Sequence, residues 1–263
     1  MNLAERLESF KKRGFSEDRA VVIVLMREAA IILFNAFPDS LVLIGGANLI
    51  LFHESTRHSA DLDLLATTVP KAQDMVTVLN DGLRELGELL GVGIPKAQIH
   101  SSDESLVKLA VAVPSTPILF TVDITIGATL DKEVEKHEFE SASSQAKATI
   151  KSASSDLQLL QKAEALLGRR IIKVRDAYDA RLLMDRGATL SGQLKNHLGD
   201  YLLWEEMTAT QIKERISQID EKRCRAELAN FIPEKTFDDL AEKSFQPLRD
   251  AVGQLFADWI NED

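Results

Sequence analysis

Cysteine occurs once in the 263 residues, at Cys224, so no internal disulfide can form. A chain without that staple depends on its core and fits a reducing compartment, which makes a cytoplasmic location the expectation. Tryptophan and tyrosine occur twice each. That is too sparse for a platform on which bases stack, and we expect these rings in the core. The five histidines include no HxxxH spacing and no Cys/His cluster, so no zinc site of ordinary pattern is present. Positive charge is also short, 31 Lys and Arg against 41 Asp and Glu, for a net charge of −10. This argues against a general nucleic-acid coat protein, whose affinity rests on neutralising phosphates, but leaves room for a local basic patch. Long apolar runs are missing too. The most apolar stretch, AVVIVLMREAAIILFNAF, is interrupted by Arg27, Glu28 and Asn35. Each charge at a bilayer centre costs roughly 2.5–3.5 kcal/mol, so this segment reads as a buried helix rather than a membrane span. The charged, amphipathic MNLAERLESFKKRG does not resemble a signal peptide. The expectation is a soluble protein with no membrane partner.

What is there is ordinary globular material, 45% hydrophobic and 27% charged. Its pattern changes along the chain. Up to the Ser/Ala/Lys-rich stretch SASSQAKATIKSASS, helical and strand periodicities mix; beyond it almost everything is helical. We therefore expect an α/β (α+β) domain over 1–145 and a helical domain over 146–263, the stretch serving as a linker. Helices are expected over 2–13, 17–36 and 70–90, and strands over 41–44, 61–66, 105–113, 118–126 and 133–140. The PSTP between Val113 and Ile118 is a turn signal, so the two strands beside it should form a hairpin. A helix over 156–168 should open on a capping box of Ser155 and Gln158, and a second, KVRDAYDARLLMDRG, should end at Gly187. Three or four more helices should follow to Ile260.

One stretch does not fit a core: LVLIGGANLILFHESTRHSADLDLLA, from Leu41 to Ala66. In a strand, residues two apart share a face, so Asp61 and Asp63 project together while Leu62 and Leu64 go inward. Two carboxylates on one face repel and need compensation, which a pair of Mg²⁺ ions would provide. In ILFTVDITIG the same alternation sends Ile118, Phe120, Val122, Ile124 and Ile126 one way, and Thr121, Asp123 and Thr125 the other. Asp123 is a natural third carboxylate. Gly45 and Gly46 stand where a strand enters a helix, where small residues let backbone N–H groups approach a phosphate. Ser59 and Arg57, just before the acids, could contact the phosphates of an NTP. The bland readings are an exposed acidic edge for the aspartates, a turn for Ser59 and a solvated loop charge for Arg57.

The pattern hGGxxL…RxSxDxDL resembles the nucleotidyltransferase superfamily related to DNA polymerase β, and within it the AbiEii/AbiGii-type toxin nucleotidyltransferases, including MenT-like enzymes. A second signature of that family, a lysine-bearing helix followed by RDxxD, is matched by SSDLQLLQKAEALLGRRIIKVRDAYDARLL. The resemblance implies a polymerase-β-like mixed sheet with flanking helices and a helical C-terminal domain that contributes Lys162 and the RDxxD helix. It implies that Lys162 contacts nucleotide phosphates, and that Asp176 and Asp179 belong to the nucleotide site. Read without it, Lys162 is a snorkelling lysine, and Asp176 and Asp179 pair with Lys173 and Arg175 along one helix. Residues 162–186 hold seven Lys/Arg against four acids. Arg169 and Arg170 in this basic island are candidates for acceptor binding, or simply a solvated face. The function implied is Mg²⁺-dependent transfer of a nucleoside monophosphate from an NTP to an acceptor hydroxyl. The acceptor would be RNA, particularly the tRNA 3′ end, and the enzyme a toxin opposed by a cognate antitoxin. Transfer to a small molecule of aminoglycoside type or to a protein, and a non-catalytic nucleotide-binding module, are the alternatives.

Overall fold

The structure is a computed structural model and describes residues 2–68, 70–113, 119–127, 131–144 and 146–260. The chain forms two compact units, Met1–Ala153 and Ser154–Asp263.

In the first unit, α1 (Leu3–Lys12) and α2 (Glu17–Ala36) precede β1 (Leu41–Ile44), α3 (Gly45–Phe52) and β2 (Asp61–Ala66). Helices α4 (Ala72–Gly82) and α5 (Arg84–Leu89) then lead to β3 (Lys96–Ser102), β4 (Leu106–Ala112), β5 (Leu119–Ile126), β6 (Val134–Glu140) and β7 (Lys147–Ala153). The strands make one mixed sheet in the order β3-β4-β5-β2-β1-β7-β6. β2 runs parallel to β5 and antiparallel to β1, while β4 and β5 pair antiparallel as the expected hairpin. The PSTP turn signal itself lies outside the described residues.

Helix α2 is apolar nearly all round and buried from Ala20 through Ile31, as a core helix should be. Its two interrupting charges compensate each other: Arg27 Nη1 lies 2.8 Å from Glu28 Oε1. Arg27 Nη2 also donates to the Glu140 carbonyl at 3.0 Å, and Glu28 Oε1 accepts from the Ala142 amide at 3.0 Å. Among the described residues no helix is long and apolar enough to cross a membrane.

Several expectations change. The helix over 70–90 is two helices divided after Gly82, a residue that weakens helix continuation and packs against Ile32. β3 was not expected, because only Ala97 of its seven residues is buried and no alternation marks it. The expected linker contains β7, paired with β6 on one side and with β1 on the other. Its sequence KATIKSA buries Ala148, Ile150, Ser152 and Ala153, and the three small residues around the one isoleucine disguise an interior strand. The boundary expected near 145 accordingly falls after Ala153.

The second unit is helical: α6 (Ser155–Gly168), α7 (Val174–Asp185), α8 (Gly192–Trp204), α9 (Ala209–Ser217), α10 (Glu221–Leu228), α11 (Glu234–Ala241), α12 (Gln246–Leu255) and the short α13 (Ala257–Ile260). More and shorter helices follow Ser191 than the periodicity indicated. The cap of α6 is Ser154, whose hydroxyl accepts from the Leu157 amide at 3.1 Å; Gln158 is buried and makes no capping box with Ser155. Trp204 is 78% exposed rather than in the core.

Candidate active site

The strand β1 ends on Ile44 and turns into α3 through Gly45, whose φ of +68° lies in the left-handed region. A side chain here would meet more than strain, since a Cβ on Gly45 would collide with Asp63 Oδ2. A Cβ on Gly46 would collide with Ser59 Oγ and stand 2.8 Å from Arg57 Nη2. The two glycines thus let the first turn of α3 lie directly against Arg57, Ser59 and Asp63. Arg57 and Ser59 are both buried, and Arg57 Nη1 donates to the His58 carbonyl at 2.9 Å. Burial holds the His58 imidazole below its ordinary range, with Arg19 and Arg57 acting in the same direction and Asp61 against it.

On β2 the alternation is as expected, with Leu62 and Leu64 buried and Asp61 and Asp63 half-buried on the other face. The parallel register sets Asp61 beside Thr121 and Asp63 beside Asp123. Thr121 Oγ1 donates to Asp61 Oδ1 at 3.0 Å. Phe120, Val122 and Ile124 fill the core side of β5, whereas Ile126 is 47% exposed at the strand end. Ile118 lies outside the described residues.

Lys108 is an addition that the motif search did not single out. It sits on β4 directly opposite Asp123 and its Nζ donates to Asp123 Oδ2 at 2.7 Å. That hydrogen bond raises the lysine's pKa against a smaller desolvation effect, and the charges of Asp123, Asp61 and Asp63 act the same way.

The other Asp123 oxygen, Oδ1, is buried and has no hydrogen-bond partner among the described residues. A carboxylate oxygen with nothing to accept from suits a cation, and an all-carboxylate donor set suits a hard one such as Mg²⁺. The side chains are not gathered into a finished cage: among the described residues no three His, Cys, Asp or Glu groups stand ready to hold a metal ion. Strand register aligns the acids, and Lys108 holds one of them.

In the second unit, α6 and α7 bring together a buried charge cluster. Lys162 Nζ is 2.9 Å from Asp179 Oδ2 and 3.3 Å from Asp176 Oδ1. Arg169 Nε lies 3.3 Å from Asp176 Oδ2, a charge contact without hydrogen-bond alignment. Asp176 and Asp179 are 1% and 0% exposed and Lys162 only 8%, so neither the snorkelling lysine nor the pairing along one helix describes them. Arg175 instead lies over the Phe231 ring. Glu227 of α10 accepts from the Val174 amide at 2.8 Å and so anchors the start of α7. Arg170 is exposed and the Arg169 carbonyl accepts from Arg215 Nη1 at 2.7 Å.

The structure therefore groups Gly45, Gly46, Arg57, Ser59, Asp61, Asp63 and Asp123 in the first unit, and Lys162, Asp176, Asp179 and Arg169 in the second. Lys108 and Glu227 are the participants that motif reading passed over, and Thr121, placed by alternation on the face of the acids, proves to donate to Asp61.

The fold is that of nucleotidyltransferases. A protein from H. pylori described as a candidate nucleotidyltransferase superposes with a TM-score of 0.54 at 16% identity, over 95% of this chain and 99% of that one. MenT4, a nucleotidyltransferase toxin from Mycobacterium tuberculosis H37Rv, gives a TM-score of 0.50 at 16% identity, covering 100% of this chain and 91% of that one. JHP933 from Helicobacter pylori gives 0.50 at 16% identity, over 89% and 90%. No curated protein matches the chain in sequence. Residues 29–259 match the family described as nucleotidyl transferase AbiEii toxin, type IV toxin–antitoxin system. The chain belongs to that family and is a nucleotidyltransferase.

Proposed function

We propose that this toxin transfers a nucleoside monophosphate from an NTP to an acceptor hydroxyl of RNA, the tRNA 3′ end above all, in the cytoplasm. A cognate antitoxin protein is its partner, in keeping with the family. The observation that carries the reading is the alignment of Asp63 with Asp123 across parallel strands, beside the glycine turn that abuts Asp63, Ser59 and Arg57.

Asp61, Asp63 and Asp123 are the residues that would hold Mg²⁺. When bound, two such ions make the acceptor hydroxyl more acidic and offset charge on the departing pyrophosphate. Gly45 and Gly46 let the first turn of α3 close on Asp63, Ser59 and Arg57, which brings its backbone N–H groups near phosphates held at the acids. Arg57 and Ser59 supply a guanidinium and a hydroxyl to phosphate oxygens. Lys162 carries three N–H donors; Asp176 and Asp179 take two, which leaves one for a nucleotide phosphate. Asp176 and Asp179 thereby act as nucleotide-site residues through the lysine they orient. Arg169 and Arg170 serve the acceptor's backbone.

The acceptor is tested by incubating the protein with each α-³²P-labelled NTP and total RNA, then repeating with RNA whose 3′ diol has been oxidised by periodate. Label in the tRNA fraction, lost after periodate, is the expected result. Undiminished labelling of oxidised RNA, or labelling of protein alone, would overturn the RNA 3′-end assignment.

A further inference from the structure

Three carboxylates share one face of β2 and β5, and one of them, Asp123, is hydrogen-bonded by the ammonium of Lys108. Its position is dictated by the sheet. β4 and β5 pair antiparallel with Lys108 opposite Asp123, while Val107 and Leu109 on either side are buried and fix which way the strand faces. The ammonium takes one Asp123 oxygen at 2.7 Å, and the other is the orphaned, buried Oδ1. Lys108 and Asp123 are 32% and 23% exposed in their side chains, so water and ions can reach the pair.

We propose that Lys108 is a placeholder cation, which neutralises the carboxylate face before metal arrives and yields Asp123 when a divalent ion binds. The proposal rests on the metal-binding reading of Asp61, Asp63 and Asp123 and adds a competitor to it. An empty set of three acids costs repulsion energy, and one ammonium offsets part of it. A lysine suits this task because its charge rides on a flexible four-carbon stem and can swing away without disturbing the strand. The same contact keeps Asp123 from joining a finished cage, in accord with the absence of one among the described residues. Metal binding then has to break an ion pair, so the metal alone binds weakly, and a triphosphate that brings its own metal binds well.

The test is Mn²⁺ binding to the full-length chain without nucleotide, followed by calorimetry and by the electron paramagnetic resonance of free Mn²⁺. Lys108→Met should bind Mn²⁺ up to about fivefold more tightly than the wild type, the gain from removing one partly exposed ion pair. Adding Asp123→Asn should abolish that gain, and Lys108→Arg should leave the affinity near wild type. The melting temperature of metal-free Lys108→Met should fall below wild type and recover with Mn²⁺. Lys108→Gln carries the same expectations should the methionine variant fail to fold. Equal or weaker Mn²⁺ binding by Lys108→Met and Lys108→Gln, with wild-type binding intact, would overturn the placeholder and leave the metal site standing. Absence of Mn²⁺ binding by every variant, with and without ATP, would overturn both.

Discussion

Lys162 Nζ on α6 lies 2.9 Å from Asp179 Oδ2 on α7, and the aspartate is completely buried. Two helices that share a charge pair in a water-poor interior are held in one register. Removing one member strands the other, whereas removing both can be nearly neutral.

Lys162→Met should therefore destabilise the protein by about 3–5 kcal/mol, because Asp176 and Asp179 would remain buried without the ammonium that both contact. The double variant with Asp179→Asn should lose clearly less than the sum of the single losses. Urea unfolding of the four proteins in a double-mutant cycle measures this, and additive losses would show that the pair is not coupled.

Gly45→Ala should be costly on two counts. The backbone there is left-handed, which adds about 1–2 kcal/mol for a residue with a Cβ, and that Cβ would strike the Asp63 carboxylate. We expect a lower melting temperature and, because Asp63 must move, weaker metal-dependent NTP binding. Wild-type NTP binding in a variant with a reduced melting temperature would separate the glycine from the site.

Asp123→Ala addresses the division of labour among the acids. If Asp123 serves the acceptor side, the variant keeps its thermal stabilisation by NTP and loses turnover. Differential scanning fluorimetry with and without NTP, alongside a transfer assay, distinguishes the two. Loss of the nucleotide-induced shift would reassign Asp123 to the nucleotide-side metal.

His137 provides a pH dependence with a definite sign. Its ring stacks on Phe52 at 3.9 Å and its Nε2 shares a hydrogen bond with Ser152 Oγ at 3.0 Å. Burial lowers its pKa, and nearby Glu135 opposes that without reversing it. A histidine kept neutral by folding contributes stability above its unfolded pKa of about 6.5, and that contribution is lost as pH falls through this value towards the folded one. The stability difference between wild type and His137→Phe, from urea melts, should shrink between pH 7.5 and pH 5.5. A constant difference would remove His137 from the account.

Much of this was legible in the sequence where side chains alternate cleanly. DLDLLA announces its two faces by itself, and the acids at Asp61 and Asp63 lie where alternation puts them. KATIKSA does not, because alanine and serine fill an interior strand as well as isoleucine when neighbours crowd it, and polarity alone then resembles a linker. Lys108 was within reach: a hairpin closed on the four residues PSTP puts Val113 opposite Ile118, and counting back lands Lys108 on Asp123. The burial of Lys162 was not legible, since a lysine among apolar neighbours gives the same pattern whether its ammonium reaches water or two aspartates on another helix. Only the packing of α6 on α7 decides it.

Nucleotidyl transfer by the carboxylate face of β2 and β5 is open to a direct assay. Parallel reactions with α-³²P- and γ-³²P-labelled NTP, RNA and Mg²⁺, using wild type, Asp61→Asn and Asp63→Asn, test it most directly. The α label should enter RNA, the γ label should leave as pyrophosphate, and each variant should fold yet transfer about a thousandfold more slowly, the loss of several kcal/mol of metal-borne stabilisation. Transfer at near wild-type rate by Asp63→Asn with Mg²⁺ present would contradict it.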